Sequence, residues 1–165
     1  MLQCWKGSLS HNTLYLLNYI LCYILSFMQK KLFNAAGRVH MTTEYDTVNN
    51  WVYNNWIGPQ DLASVMAGSE AGLKLLRKHS CSLLLNDNRH TVEHWDYAVE
   101  WVVAQWLPRA LAAGLTHYAQ VIRAESPTSL SADVLYRAIS EQVEMRVFIS
   151  LAEAQDWLQK VRRKG

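Results

Sequence analysis

The residues best equipped for chemistry lie in one short run, Asn86 to Trp101, NDNRHTVEHWDYAVEW. Within it His90, Glu93 and His94 form H-x-x-E-H. With this spacing one helical face can offer two imidazoles to zinc and hold a carboxylate as the base for water. Taken alone, the string describes a zinc hydrolase. Such a site needs both histidines on the same helical face and a third ligand from elsewhere. The pattern starts the helix at Thr91 or Val92, which leaves His90 in the preceding loop, out of phase with His94. Two surface or capping histidines explain the string better. The expectation is therefore no metal, no catalytic residue, no cofactor and no enzyme, with the zinc hydrolase through His90, Glu93 and His94 kept as the alternative.

Other reactive arrangements are missing from the sequence. There is no G-x-S-x-G elbow and no Walker pattern. Glu93, Asp96 and Glu100 line the polar side of a helix and read as a solvated face. The cysteines, Cys4, Cys22 and Cys81, are odd in number and lack C-x-x-C spacing, which argues against a disulfide framework or a zinc knuckle. Cys81 opens an apolar run and behaves as a small buried hydrophobe. Tryptophan is the more unusual feature: Trp51, Trp56, Trp95, Trp101, Trp106 and Trp157 all fall after residue 50. Most belong in a core. Trp101 sits off the apolar stripe of its helix, in line with His94 and Tyr97, so Trp56, Tyr97 and Trp101 are the candidates for an aromatic pocket or an exposed contact patch.

The elements that must position these residues follow from periodicity. VHMTTEYD (Val39–Asp46) and WVYNNWIG (Trp51–Gly58) are β-branched and aromatic, with Asp46, Asn49 and Asn50 punctuating the gap, as in a β-hairpin. After Gly58-Pro59, Leu62, Val65, Met66, Ser69, Gly72, Leu73 and Leu76 mark one face of a helix ending near His79. Gly68 and Gly72, one turn apart, suit close helix–sheet packing. CSLLLN (Cys81–Asn86) reads as a central strand, followed by a loop to Thr91. A helix from about Val92 to Leu107 then buries Trp95, Ala98, Val99, Val102, Val103 and Trp106. THYAQVIR (Thr116–Arg123) is a strand, residues 132–141 a helix, VEMRVFIS (Val143–Ser150) a strand. Ser150 and Glu153 form a capping box for a last helix burying Ala154, Trp157, Leu158 and Val161. Strands alternating with helices imply crossover connections and a mostly parallel sheet.

Half of the 165 residues are apolar, enough for one domain with a real core. The formal charge is +2, and residues 28–165 carry 15 basic and 14 acidic groups, so the chain lacks the electrostatic footprint of a nucleic-acid binder. The basic run Lys160, Arg162, Arg163, Lys164 reads as a solvated helix end. Residues 1–37 form an apolar N-terminal extension before a domain at 38–165. Its core, Thr13 to Met28, is uncharged but short for a bilayer span. It is expected to be an upstream stretch before Met28, or a membrane anchor. The location follows: cytoplasmic, or attached to the inner membrane through residues 13–28.

Three strings carry a resemblance: LLLNDNR, then HWDYAVEWVVAQWLPRALAAGLTHYAQV, then VFISLAEAQDWL. Together with YDTVNNWVYNNWIG, over about Tyr45 to Leu158, they resemble the small bacterial STAS-like proteins. Those are relatives of the SpoIIAA-type anti-sigma-factor antagonists and similar in shape to CRAL-TRIO lipid-binding domains. The resemblance implies an α/β fold, a β-hairpin followed by alternating helices and strands, with a mixed sheet of about five strands and about four helices. It also implies a non-enzymatic regulatory domain that binds a protein partner. In the antagonists a serine of a D-S-S-G motif, at the start of the helix after the central strand, is phosphorylated; a helix N-terminus suits the phosphate. D-S-S-G is absent here, and Thr91 is the one hydroxyl close by. Asp87, Asn88, Thr91 and His94 are accordingly the contact or switch candidates, with Thr91 expected to cap the helix. A small hydrophobic ligand or lipid in a tryptophan-rich pocket is the alternative function, and a homodimer through a strand edge is left open.

Overall fold

The computed structural model describes residues 29–163. The apolar stretch Thr13–Met28, and with it the anchor expected there, lies outside the described residues. Among the described residues no helix is long and apolar enough to cross a membrane.

Among the described residues six strands form one sheet in the order of the chain: β1 (Lys30–Phe33), β2 (Val39–Asp46), β3 (Trp51–Gly58), β4 (Leu83–Thr91), β5 (His117–Val121) and β6 (Glu144–Phe148). The first three pair antiparallel and the rest parallel. The expected hairpin is present residue for residue. Its turn is built by Asp46, whose carboxylate accepts from the backbone of Val48 and Asn49, while Asn50 takes the left-handed conformation that asparagine tolerates. The sheet has one strand more than expected, because β1 pairs with β2 from inside the segment assigned to the extension. The folded unit thus reaches upstream of residue 38. KKLF has too little apolar alternation to announce itself as a strand.

Connections β3–β4, β4–β5 and β5–β6 each cross over through a helix: α1 (Leu62–His79), α2 (residues 96–112) and α3 (Pro127–Ile139). Right-handed crossovers that step steadily in one direction put all their helices on the same face. The contacts agree. Trp106 of α2 donates to the Ser69 carbonyl of α1, and Leu135 of α3 lines the same cavity as Tyr118 of β5. The last helix, α4 (Leu151–Arg162), packs on the opposite face, with Trp157 against His117 and Phe148. Its capping box is as expected: the Ser150 hydroxyl accepts from the Glu153 amide.

Two glycines of α1 set its distance from the sheet. A Cβ on Gly68 would lie 2.4 Å from both Met41 Sδ and the Trp56 ring, and one on Gly72 2.7 Å from the Asn54 amide. Close packing is therefore their role.

α2 is irregular. It begins as a 3-10 turn (Asp96–Ala98), becomes α-helical (Val99–Trp101), widens to a π segment (Val102–Trp106) and ends as α-helix (Leu107–Ala112). Pro108 explains the widening. It has no N–H for the carbonyl four residues back, and its ring would crowd that carbonyl. The wider turn relieves both, with Leu107 N–H reaching back to Val102. The expected core residues Trp95, Ala98, Val99, Val102 and Trp106 are all buried, and Val103 is partly so.

Candidate functional site

The sequence pattern ended the central strand at Asn86, but β4 continues to Thr91. Asn-Asp-Asn is a turn composition, yet here it is strand, because each side chain finds partners on its own face. Asn86 and Asn88 point to the face covered by α1, α2 and α3; Asp87 points to the α4 face.

The first face holds a row of polar side chains across four strands. Registration places Thr43 opposite Asn54, Asn54 opposite Asn86, and Asn86 opposite Gln120. The Thr43 hydroxyl donates to Asn54 (2.6 Å). Asn86 accepts from the Trp56 indole (2.7 Å) and donates to Asn88 (2.9 Å) and to Gln120 (3.0 Å). Gln120 donates to Asn88 (2.7 Å) and accepts from the Tyr118 hydroxyl (3.1 Å). All of these residues are buried, and burial pushes the Tyr118 phenol well above its ordinary range, so the network is neutral. It borders a cavity with about 40 Å³ of water-accessible space, walled by Trp56, Trp95, Trp106, Tyr118 and Val102. At roughly 10–15 Å³ per water, that is room for about three waters, well short of the roughly 150 Å³ cavity that takes up benzene. The indole N–H of Trp95 is buried on this wall without a partner. A lipid chain does not fit here as the side chains stand.

Asp87 is completely buried and fully bonded. Arg89 grips it in a fork, Nη2 to Oδ2 at 2.7 Å and Nε to Oδ1 at 2.9 Å, its backbone N–H adds 3.1 Å to Oδ1, and the Tyr53 hydroxyl donates at 2.9 Å to Oδ2. Burial alone would raise the Asp87 pKa, but the hydrogen bonds and charge of Arg89, with Tyr53, outweigh it and hold the carboxyl below the usual range. Burial and the Asp87 charge push the Tyr53 phenol the other way. This is a structural ion pair.

Thr91 does not cap the helix. It ends β4, buried, its hydroxyl donating to the Asn88 carbonyl at 2.9 Å. The start of α2 is closed instead from α3, where Ser131 Oγ accepts the Trp95 backbone N–H at 2.8 Å. The helix starts later than expected because the chain runs from β4 across Val92, Glu93 and His94 before turning at Asp96. H-x-x-E-H is therefore split between a strand and this connection: His90 is exposed on β4 and His94 beyond its end. The helical face that zinc ligation by this string requires does not exist. Among the described residues no three His, Cys, Asp or Glu side chains gather as a metal site. Cys81 is buried, and burial raises its thiol pKa, in keeping with a packing role.

Of the four contact candidates, Asp87, Asn88 and Thr91 are buried and His94 is exposed. Of the pocket candidates, Trp56 lines the cavity, whereas Tyr97 and Trp101 do not. Trp101 leans on the core from outside. Tyr97 is 45% exposed and spans to the β3–α1 connection, its hydroxyl donating to the Gln60 carbonyl at 2.5 Å. Sequence reasoning missed the buried amides of Asn54, Asn86 and Gln120, whose only advance signal was a matching depth in three successive strands; Trp95 it placed in the core, without the unpaired indole N–H.

No protein-family model matches the sequence, and no curated protein matches it. Among solved structures the chain is similar to the crystal structure of an anti-sigma factor antagonist from Mycobacterium paratuberculosis. The TM-score is 0.51 at 13% identity, over 78% of this chain and 99% of that one. With a hairpin leading into three crossover units and, among the described residues, a single helix on the far face, the chain has the STAS-like, SpoIIAA-like fold.

Proposed function

We propose that the chain is a non-enzymatic STAS-like regulatory domain that binds another protein through the connection between β4 and α2. One observation carries this reading: the connection is exposed and braced, and shows Val92, His94 and Tyr97 among the exposed carboxylates of Glu93 and Asp96. Val92 is 51% exposed, and Tyr97 and His94 stand beside it, ring edge to ring face at 6.2 Å. Loops that expose large side chains are ordinarily mobile, but this one is fixed at both ends. His94 Nδ1 meets Asp96 Oδ1 at 2.6 Å, Trp95 is held by Ser131, and Tyr97 by Gln60. A preorganised patch loses little entropy on binding.

The buried candidates then act as support. Arg89–Asp87 and Thr91–Asn88 hold the end of β4 from which the connection springs. A phosphate on Thr91 would need its hydroxyl to leave a buried hydrogen bond, so the reading assigns contact to Val92, His94 and Tyr97 and not to a switch at Thr91. The likeness to an anti-sigma factor antagonist supports a protein as the partner.

The test is affinity capture with the full chain and with Val92→Asp and Tyr97→Ala, after confirming equal unfolding midpoints. A defined protein should be recovered by the parent chain and reduced about tenfold or more by either change, the loss expected of a central contact residue. Equal recovery by all three chains, or no specific protein with any, refutes the assignment.

A further inference from the structure

At the opposite end of the sheet from the β4–α2 connection lies an open groove of about 660 Å³, within the ordinary range for small-ligand sites. It runs between the starts of β4, β5 and β6 and the last turns of α4. Its floor is apolar: Leu83, Val161 and the Trp157 ring, with Leu83 and Trp157 buried. Its rim is cationic. Arg146 stands over the Trp157 ring, 5.1 Å from the centroid, and Lys160 and Arg162 flank the other side. The one carboxylate among the described lining residues, Glu144, is already engaged, at 3.0 Å to Arg146 and 3.1 Å to His117 Nε2. Arg162 donates to a neutral acceptor, the Val48 carbonyl, and so keeps its full charge for a ligand.

Among the described residues the lining therefore carries three cations against one anion, a local excess of two even with His117 neutral. The carbonyl end of α4 offsets this by only roughly half a charge. A low-dielectric floor beneath a ring of one sign concentrates the field in the groove. Ser82 and Thr116 add hydroxyls at the strand ends.

We propose that this groove binds a small organic anion, an aromatic or aliphatic body resting on Leu83, Trp157 and Val161 with a phosphate or carboxylate head turned to Arg146, Lys160 and Arg162. Neither half of such a molecule suffices. A neutral ring gains no ion pairs, and a bare anion leaves the floor wet. The site is separate from the proposed protein contact, so either assignment stands or falls without the other.

The experiment titrates the full chain with phenyl phosphate, benzoate, inorganic phosphate and benzyl alcohol, following indole N–H and histidine resonances by NMR. Phenyl phosphate or benzoate should bind saturably, move the Trp157 and His117 signals, and weaken as salt is added. Which of the two binds tighter identifies the head group. Lys160→Ala and Arg146→Ala, both exposed positions that leave the core intact, should each weaken binding about tenfold, the factor one charge-assisted hydrogen bond supports. Three outcomes overturn the proposal: no saturable shift at millimolar ligand, affinity unchanged in both variants, or benzyl alcohol or inorganic phosphate binding as tightly as the ringed anions.

Discussion

Under α4 the sheet presents Leu83, Leu85, Ala119 and Val121, packed on Ala154, Trp157 and Leu158. Under α1, α2 and α3, strands β3, β4 and β5 present Asn54, Asn86, Asn88 and Gln120 beside Val52, Leu84 and Tyr118. The α4 side is stabilised by area removed from water, which is non-directional and tolerates any side chain of similar volume. The other side depends on directional bonds whose loss leaves a donor or acceptor stranded. A one-residue slip in β4 would move the amides under α4 and Asp87 into the neutral network. The polar row thus fixes register, and apolar burial on both faces supplies the driving force.

This contrast predicts different responses to truncation. Leu158→Ala, at a fully buried position under α4, should cost about 2–5 kcal/mol by denaturant unfolding, the transfer loss plus a cavity. Asn86→Ala should cost less, about 1–3 kcal/mol. Asn88 still receives Gln120 and Gln120 still receives Tyr118, so only the Trp56 indole loses its sole acceptor. If Asn86→Ala costs as much as Leu158→Ala, the network acts as one cooperative unit and the polar face is a larger source of stability than the comparison allows.

These two positions also show what the sequence could disclose. Leu158 sits on a 3.6-residue apolar repeat behind a capping box, and periodicity alone placed it in the core. The hairpin, α1 and the buried stripe of α2 were legible for the same reason. Asn86 was read as the last residue of its strand because amides are rare in strands and common in turns. What keeps Asn86–Thr91 in the sheet is the register of Asn54 and Gln120, dozens of residues away, and a local pattern carries no information about register. The same distance hid the cap of α2: Ser131 lies 36 positions from Trp95, whereas Thr91 was close in sequence and of the right type. β1 was missed because a four-residue edge strand has almost no pattern to detect.

Asp87 tests whether the α4 face is as free of electrostatics as its composition suggests. Its folded pKa is depressed, so the stability it adds is present above the unfolded value of about 3.9 and is lost as pH falls through the lower folded value. Asp87→Asn keeps the shape, the acceptor for the Arg89 backbone N–H and a partner for the Tyr53 hydroxyl, while the Arg89 guanidinium, a third exposed, can turn to solvent. The parent should therefore be modestly more stable than the variant at pH 7, and the gap should close below about pH 4. A gap that persists unchanged to pH 2 would mean that geometry, and not charge, is what Asp87 contributes.

The smallest effect is expected at Trp95, and it decides what fills the polar face. Trp95→Phe and Trp106→Phe remove the same indole volume from the same cavity wall, so their difference isolates the N–H. In Trp106 that N–H donates to the Ser69 carbonyl at 2.9 Å; in Trp95 it has no protein acceptor. Removing an unpaired buried donor relieves a desolvation penalty, whereas removing a paired one loses about 1 kcal/mol net. Trp95→Phe should thus leave stability within about 1 kcal/mol of the parent and above that of Trp106→Phe. Should Trp95→Phe prove the more damaging of the two, its N–H must be bonded to water held in the cavity. The Asn86–Asn88–Gln120 network would then extend through solvent to α2, joining the centre of the polar face to the start of the helix that carries Tyr97.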